Sequence, residues 1–334
     1  MKTSAAMVAI GVGLVAVVVL RSSTAAQPGT FTFAAAGDFD DGSNFQKTAE
    51  AVGTHAPDFF LLLGDLSYDQ QEAEWCAHWK NTAKYSKLLL LSGNHDSGES
   101  GGGDINKYVA SCPMADVVVK GVYGKQYYFD YPANTPLARF IMVSPGVKQL
   151  GFDTRYDEGR QGYQFTATAI DEARTRGIKW VFVGMHKNYI SAMEKDNEIS
   201  TDNNRTFISM LLTKKVDVVL QGHEHGYERT MQLATNSATC KVLQTDTFDK
   251  ACVADADNSY IRGAGTIIHV LGTGGKSLRQ LWTSDSEYPY FAESDVTTYG
   301  FGKFTVSSAS VSFTFQRSAG GNLTDAFTIT ETQP

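Results

Sequence analysis

Five short clusters of Asp, Asn, His and Tyr, each opened by a glycine, hold most of the side chains in this sequence that could do chemistry together. They are Gly37-Asp38-Phe39-Asp40, Gly64-Asp65-Leu66-Ser67-Tyr68, Gly93-Asn94-His95-Asp96, Gly184-Met185-His186 and Gly222-His223-Glu224-His225. Their oxygen and nitrogen donors suit iron, zinc or manganese. A glycine lets the backbone turn sharply, so that the side chains after it can face a shared site. Two metal ions held close together need a bridging carboxylate and acidify a shared water. The resulting hydroxide can attack phosphorus in line while both cations offset the charge spreading over the phosphoryl oxygens. A leaving alkoxide then needs a proton, which a positioned imidazole can supply. His55, His78 and His269 lie outside the clusters and read as structural.

These clusters are useful only if the fold brings them together. Phe31–Ala36, Phe59–Leu63, Leu88–Leu91, Arg139–Val143, Trp180–Val183, Val216–Leu220 and Thr266–Leu271 are short apolar runs, as buried strands require. Helical spacing predicts helices over 44–55 and near 70–84, 164–176 and 203–214. From Phe301 onward the apolar residues alternate as in antiparallel strands. The pattern is a layered α/β arrangement with a β-rich end. Each cluster directly follows a strand, and ligands of α/β sheets bind at the carboxyl ends of strands. The glycine-rich run Ser97–Gly103 reads as a mobile loop.

The chain has 334 residues and a formal charge of −7. An acidic surface repels a phosphate backbone, so no nucleic-acid partner is expected. A small phosphorylated substrate remains compatible, because bound cations invert the local field. Lys2, the apolar run from Ala5 to Leu20, Arg21 and the small residues Ser22–Ala26 make residues 1–26 a cleaved signal peptide or a retained signal anchor. The expected location is extracellular or in the secretory pathway, with membrane association only if residues 5–20 remain as an anchor. Export favours disulfides among Cys76, Cys112, Cys240 and Cys252. Three pairings are open, and Cys76 with Cys112 plus Cys240 with Cys252 is preferred because the second closes a short polar excursion. No long low-complexity linker interrupts residues 27–334, which read as a single catalytic domain.

With these motifs in view, Asp38, the Gly-Asp-Leu-Ser-Tyr and Gly-Asn-His-Asp blocks, Val183-Gly-Met-His186 and Gly-His-Glu-His resemble the signature blocks of calcineurin-like metallophosphoesterases. The block ending at Tyr68 looks like the purple acid phosphatase branch. That resemblance implies a four-layer fold, a central β-sandwich of two mixed sheets flanked by helices, around a dinuclear metal centre. It implies that Asp38, Tyr68 and His225 bind Fe3+ and that Asp65 bridges. Asn94, His186 and His223 would bind a divalent partner, Zn2+, Mn2+ or Fe2+. Asn94, His95 and His186 would also contact substrate, with His95 as the proton donor. The implied activity is an acid phosphatase cleaving phosphate monoesters.

The sequence departs from this pattern in two places. Asp40 stands where the purple branch has glycine, and could add a ligand, orient one or face solvent. Beyond His186, Lys187-Asn-Tyr-Ile-Ser191 lacks the histidines of the plant enzymes, so Lys187 and Tyr189 become candidate substrate contacts. Two other readings stay open: a phosphodiesterase or nuclease of the same superfamily, and a non-catalytic binding module.

Overall fold

In the computed structural model, residues 29–331 are described, apart from 70, 100, 101, 195–198, 200–204, 237 and 246. The leader, residues 1–26, lies outside them. The chain begins with β1 (Phe31–Ala36), α1 (Ser43–His55), β2 (Phe59–Leu62), α2 (Glu72–Ala83), β3 (Leu88–Leu90) and α3 (Ile105–Ser111). It continues through β4 (Lys120–Val122), β5 (Gln126–Tyr131), β6 (Ala138–Met142), α4 (Gln161–Thr175), β7 (Trp180–Gly184), α5 (Arg205–Thr213) and β8 (Val218–Gln221). Then follow β9 (Tyr227–Thr230), β10 (Gln232–Leu233), β11 (Val253–Asp255), β12 (Ser259–Ile261) and β13 (Ile267–Leu271). The last strands are β14 (Phe291–Asp295), β15 (Thr298–Val306), β16 (Ser310–Gly320) and β17 (Ala326–Thr330).

Two mixed sheets form. One runs β12-β17-β16-β15-β1-β2-β3, and the other β14-β9-β13-β8-β7-β6-β5-β4. β1, β2 and β3 are parallel, as are β6, β7, β8 and β13, which sends the ends of all the site-bearing strands the same way within each sheet. Alternation along each strand decides the layers. Phe33 and Ala35 point between the sheets, where Phe33 stacks on Phe304 at 4.5 Å and meets Phe140 and Phe182 edge-on. Ala34 and Ala36 point outward and pack with residues of α1, α2 and α3. Ile141, Val181, Val183 and Val219 do the same with α4 and α5 behind the second sheet. Helix, sheet, sheet and helix therefore give the four-layer sandwich. Both faces of the central strands are buried, which is why their sequences read as unbroken apolar runs.

The cysteines pair as Cys76–Cys112 and Cys240–Cys252. The first ties α2 to the end of α3, and both fit an exported protein. No described helix is long and apolar enough to cross a membrane. The glycine-rich run is less free at its ends than composition suggests. Gly103 N donates to His95 O at 2.6 Å, and Ser97 bridges to Asp104.

Candidate metal centre

Asp38 follows β1, Asp65 follows β2, Asn94 and His95 follow β3, His186 follows β7, and His223 and His225 follow β8. The parallel strands end side by side, so the turns stack on one another. Gly64 has a φ of +92°, and a Cβ on it would lie 2.6 Å from both Gly93 N and His186 Nδ1. A Cβ on Gly93 would lie 2.1 Å from Asp65 Oδ1. Only glycine lets these backbones meet this closely. Asp38, Asp65 and His223 stand at φ of 62°, 50° and 69°. Such strained non-glycine residues gather where a site demands their direction.

The donors fall into two touching groups. In the first, Tyr68 Oη lies 3.3 Å from Asp38 Oδ1 and 3.0 Å from His225 Nε2, and His225 Nε2 lies 3.6 Å from Asp38 Oδ1. In the second, His186 Nε2 lies 3.1 Å from Asn94 Oδ1, 3.1 Å from His223 Nδ1 and 3.3 Å from Asp65 Oδ1. His223 N, donating to Asp38 Oδ2 at 2.8 Å, links the groups. Neighbouring donors on one ion, each about 2.0–2.2 Å from it, are necessarily about 3 Å apart. The spacing seen fits that requirement, and Asp65, His186 and His223 are close enough to share an ion.

Electrostatics points the same way. Burial, with the Asp65 carboxylate nearby, pushes Asp38 up to about 8. Asp96 is likewise raised to about 7. Burial alone would raise Asp65, but His186 outweighs it and keeps that carboxyl well below its usual range. His186, which burial would lower, is instead held up at about 9 by the Asp65 carboxylate. Burial followed by Asp38 raises the Tyr68 phenol well above its ordinary value. So many buried acids in contact call for added positive charge. Burial and the Arg279 guanidinium push His225 down to about 3, leaving the imidazole neutral. Its Nδ1–H then donates to Ser277 O at 2.9 Å and leaves the Nε2 lone pair toward Asp38 and Tyr68. His186 is oriented in the same way by Nδ1–H donation to Leu63 O at 2.9 Å. Fixing the far nitrogen is how metal-binding histidines are commonly aimed.

The remaining candidates are placed as follows. His95 N donates to Asp65 Oδ1 at 2.9 Å, and its half-buried ring lies 4.4 Å from that of Tyr68. The Asp40 carboxylate turns to Lys276, 3.3 Å away. Lys187 is buried with its Nζ 3.5 Å from Glu99. Tyr189 is buried in the apolar cluster behind the second sheet. His269 is buried among Phe304, Phe313 and Phe327, while His55 and His78 pack on Phe301 and Phe45.

Three neighbours had been given no role from the sequence. Asp96 accepts from Leu66 N at 2.9 Å and Gly93 N at 2.8 Å, pinning two of the motif turns together. Lys276 and Arg279 come from the segment after β13, which is stitched to the site by Lys276 N to Asp38 O and Arg279 N to His225 O, each 2.9 Å. Arg279 also donates to Glu224 at 3.1 Å. For Asp96 the sequence offered a signal, its place in the Gly-Asn-His-Asp block. A lysine and an arginine in a loop offered none.

Carboxylate, phenol, amide and imidazole donors at the strand ends of a two-sheet sandwich define a metallophosphoesterase class of protein. Residues 31–227 match the calcineurin-like phosphoesterase family, and the chain belongs to that family. It is 27% identical over 292 residues to a probable inactive purple acid phosphatase 27 of Arabidopsis thaliana, covering 81% of this chain and 43% of that one. It is 26% identical over 290 residues to a nucleotide pyrophosphatase/phosphodiesterase of Hordeum vulgare, covering 81% and 72% respectively. This chain thus spans under half the length of the first relative. A purple acid phosphatase from seeds of yellow lupin shares the fold with a TM-score of 0.65 at 18% identity, over 91% of this chain and 54% of that one.

Proposed function

We propose that this protein is a dinuclear-metal hydrolase of phosphate monoesters, working as an acid phosphatase on small phosphorylated substrates outside the cytoplasm. The observation that carries the reading is the mutual contact of seven donors from five separate turns. In this reading Asp38, Tyr68 and His225 hold Fe3+, Asn94, His186 and His223 hold Zn2+, Mn2+ or Fe2+, and Asp65 serves both. When bound, the ions would acidify the attacking water and offset charge on the phosphoryl oxygens. The protein's own groups supply the rest. Ser277 O and Leu63 O hold the far nitrogens of His225 and His186, so their Nε2 atoms face the side chains with which they would share an ion. Asp65 Oδ1, accepting from His95 N, keeps the donor turn and the proton-donor turn in register. His95, half-buried at the mouth, protonates the leaving oxygen. The raised Tyr68 phenol would lose its proton only beside a strong cation, which suits the ferric position.

The Hordeum vulgare relative's name favours a second reading, hydrolysis of phosphodiesters or phosphoanhydrides. Turnover of an aryl phosphate monoester, the matching diester and pyrophosphate by metal-loaded protein separates the two. The proposal expects preference for the monoester below neutral pH and loss of all turnover after chelation, with metal loss confirmed by elemental analysis. A preference for the diester or pyrophosphate selects the second reading, and full activity without metal sinks both.

A further inference from the structure

Asp40 stands at a φ of 70°, a conformation that glycine takes freely and other residues take at a cost. What a side chain adds there is a carboxylate, and that carboxylate accepts from Lys276 Nζ at 3.3 Å. Both partners are fastened through their main chains. Asp40 O accepts from the Trp75 indole at 2.8 Å, and Lys276 N donates to Asp38 O at 2.9 Å. Lys276 Nζ in turn lies 3.8 Å from the centre of the Tyr68 ring. That ring contacts the His95 imidazole at 4.4 Å, while its hydroxyl faces Asp38 and His225.

Asp40 and Lys276 are each more than a quarter exposed, and an ion pair so open to solvent adds little stability. Its use is therefore geometric. The Lys276 charge is already matched by Asp40, which makes it a poor anchor for a substrate anion. Over an aromatic face, however, an ammonium attracts the ring and restrains it.

We infer that Asp40 and Lys276 act as a pair of positioning residues: Asp40 holds the Lys276 ammonium on the Tyr68 ring, and the ring so held sets the orientation of His95 toward the leaving group. The inference rests on the roles proposed above for Tyr68 and His95, so its test has one arm that needs no turnover. In the full chain loaded with Zn2+ and labelled with 3-fluorotyrosine, the Tyr68 fluorine signal is identified by its loss in Tyr68→Phe. Lys276→Met should move that signal, Lys276→Arg should return it close to wild type, and the milder Asp40→Asn should move it the same way as Lys276→Met. In the second arm, the ratio of kcat/KM for an alkyl phosphate over an aryl phosphate should fall about tenfold in Lys276→Met, the scale of one such contact, and recover in Lys276→Arg. A fluorine signal unmoved by both Lys276→Met and Asp40→Asn overturns the clamp. A moved signal with an unchanged ratio overturns the link to His95. If the signal follows the variants but wild type cleaves neither ester, the clamp is supported and the monoesterase reading fails instead.

Discussion

His95 and Tyr68 are the two side chains whose removal separates chemistry from scaffolding. If His95 protonates the leaving oxygen, His95→Ala should slow alkyl phosphates about 100-fold or more and activated aryl phosphates far less, because a good leaving group departs without a proton. Equal losses on both esters in steady-state assays would make His95 a binding residue. Tyr68→Phe keeps the ring and its contacts with His95 and Lys276 but removes the oxygen that meets Asp38 and His225. Iron-loaded wild type should show a broad visible band that is absent in Tyr68→Phe and retained in Asp40→Ala, because the carboxylate removed there faces Lys276 and not the donors. A ferric wild type without the band would remove Tyr68 from the proposed donor set. The proposed donors were legible in the sequence because each lies within four residues of a glycine that closes an apolar run. Lys276 and Arg279 were not, since long-range hydrogen bonds of their loop, including those to Asp38 and His225, bring it to the site and leave no local signal in the sequence. Nor was the burial of Tyr189, which follows from a turn after His186 that dives into the core.

At the scale of elements, the strands that carry the site were read to within a residue or two because they are buried on both faces. The elements that escaped notice break the assumption that charge means solvent. β9 reads Tyr-Glu-Arg-Thr, yet Glu228 is buried, accepting from Ser191 Oγ at 2.7 Å and Ala192 N at 3.0 Å, and Arg229 is buried on Asp325. β4 is exposed throughout, and α3 is only seven residues long, announced by little more than Asp104 capping Asn106 N. What the elements must deliver is the stacking of turns, and at Gly93 that stacking leaves no room for a side chain. A methyl group there would fall 2.1 Å from Asp65 Oδ1 and 2.4 Å from Asp65 N. Gly93→Ala must therefore push the β2 and β3 turns apart, at about 1–3 kcal/mol of stability for the overpacking. Metal content per chain should drop along with turnover, while far-UV circular dichroism stays close to wild type. Unchanged metal content in Gly93→Ala would mean that the two turns can separate without disturbing the donors.

Across the whole molecule, the site depends on two sheets keeping their relative position, because Asp38, Asp65, Tyr68 and Asn94 come from one sheet and His186, His223 and His225 from the other. Aromatic rings such as Phe33, Phe140, Phe182 and Phe304 pack between the sheets, but a greasy interface of phenylalanines is weakly directional. A polar clamp adds direction. Arg229 of β9 in the second sheet donates from Nε to Asp325 Oδ2 at 2.6 Å and from Nη2 to Asp325 Oδ1 at 2.8 Å. Its Nη1 reaches Tyr260 Oη of β12 in the first sheet at 2.9 Å. Burial would raise Asp325, but the hydrogen bonds and charge of Arg229 outweigh it and hold the carboxyl below its usual range. A carboxyl depressed in the folded state contributes stability that is fully present above the unfolded value near pH 4 and is lost as pH falls through the folded value. Removing one partner of a buried pair also leaves the other uncompensated, typically at about 3–5 kcal/mol. Asp325→Asn should therefore lower unfolding stability by roughly that amount at pH 7, with Arg229 left facing a neutral amide. The gap between variant and wild type should narrow as pH is taken below 4, because wild type then loses the same contribution. Urea unfolding at a series of pH values from 7 down to 3 measures both. A gap independent of pH would assign the loss to packing at Asp325 rather than to its charge.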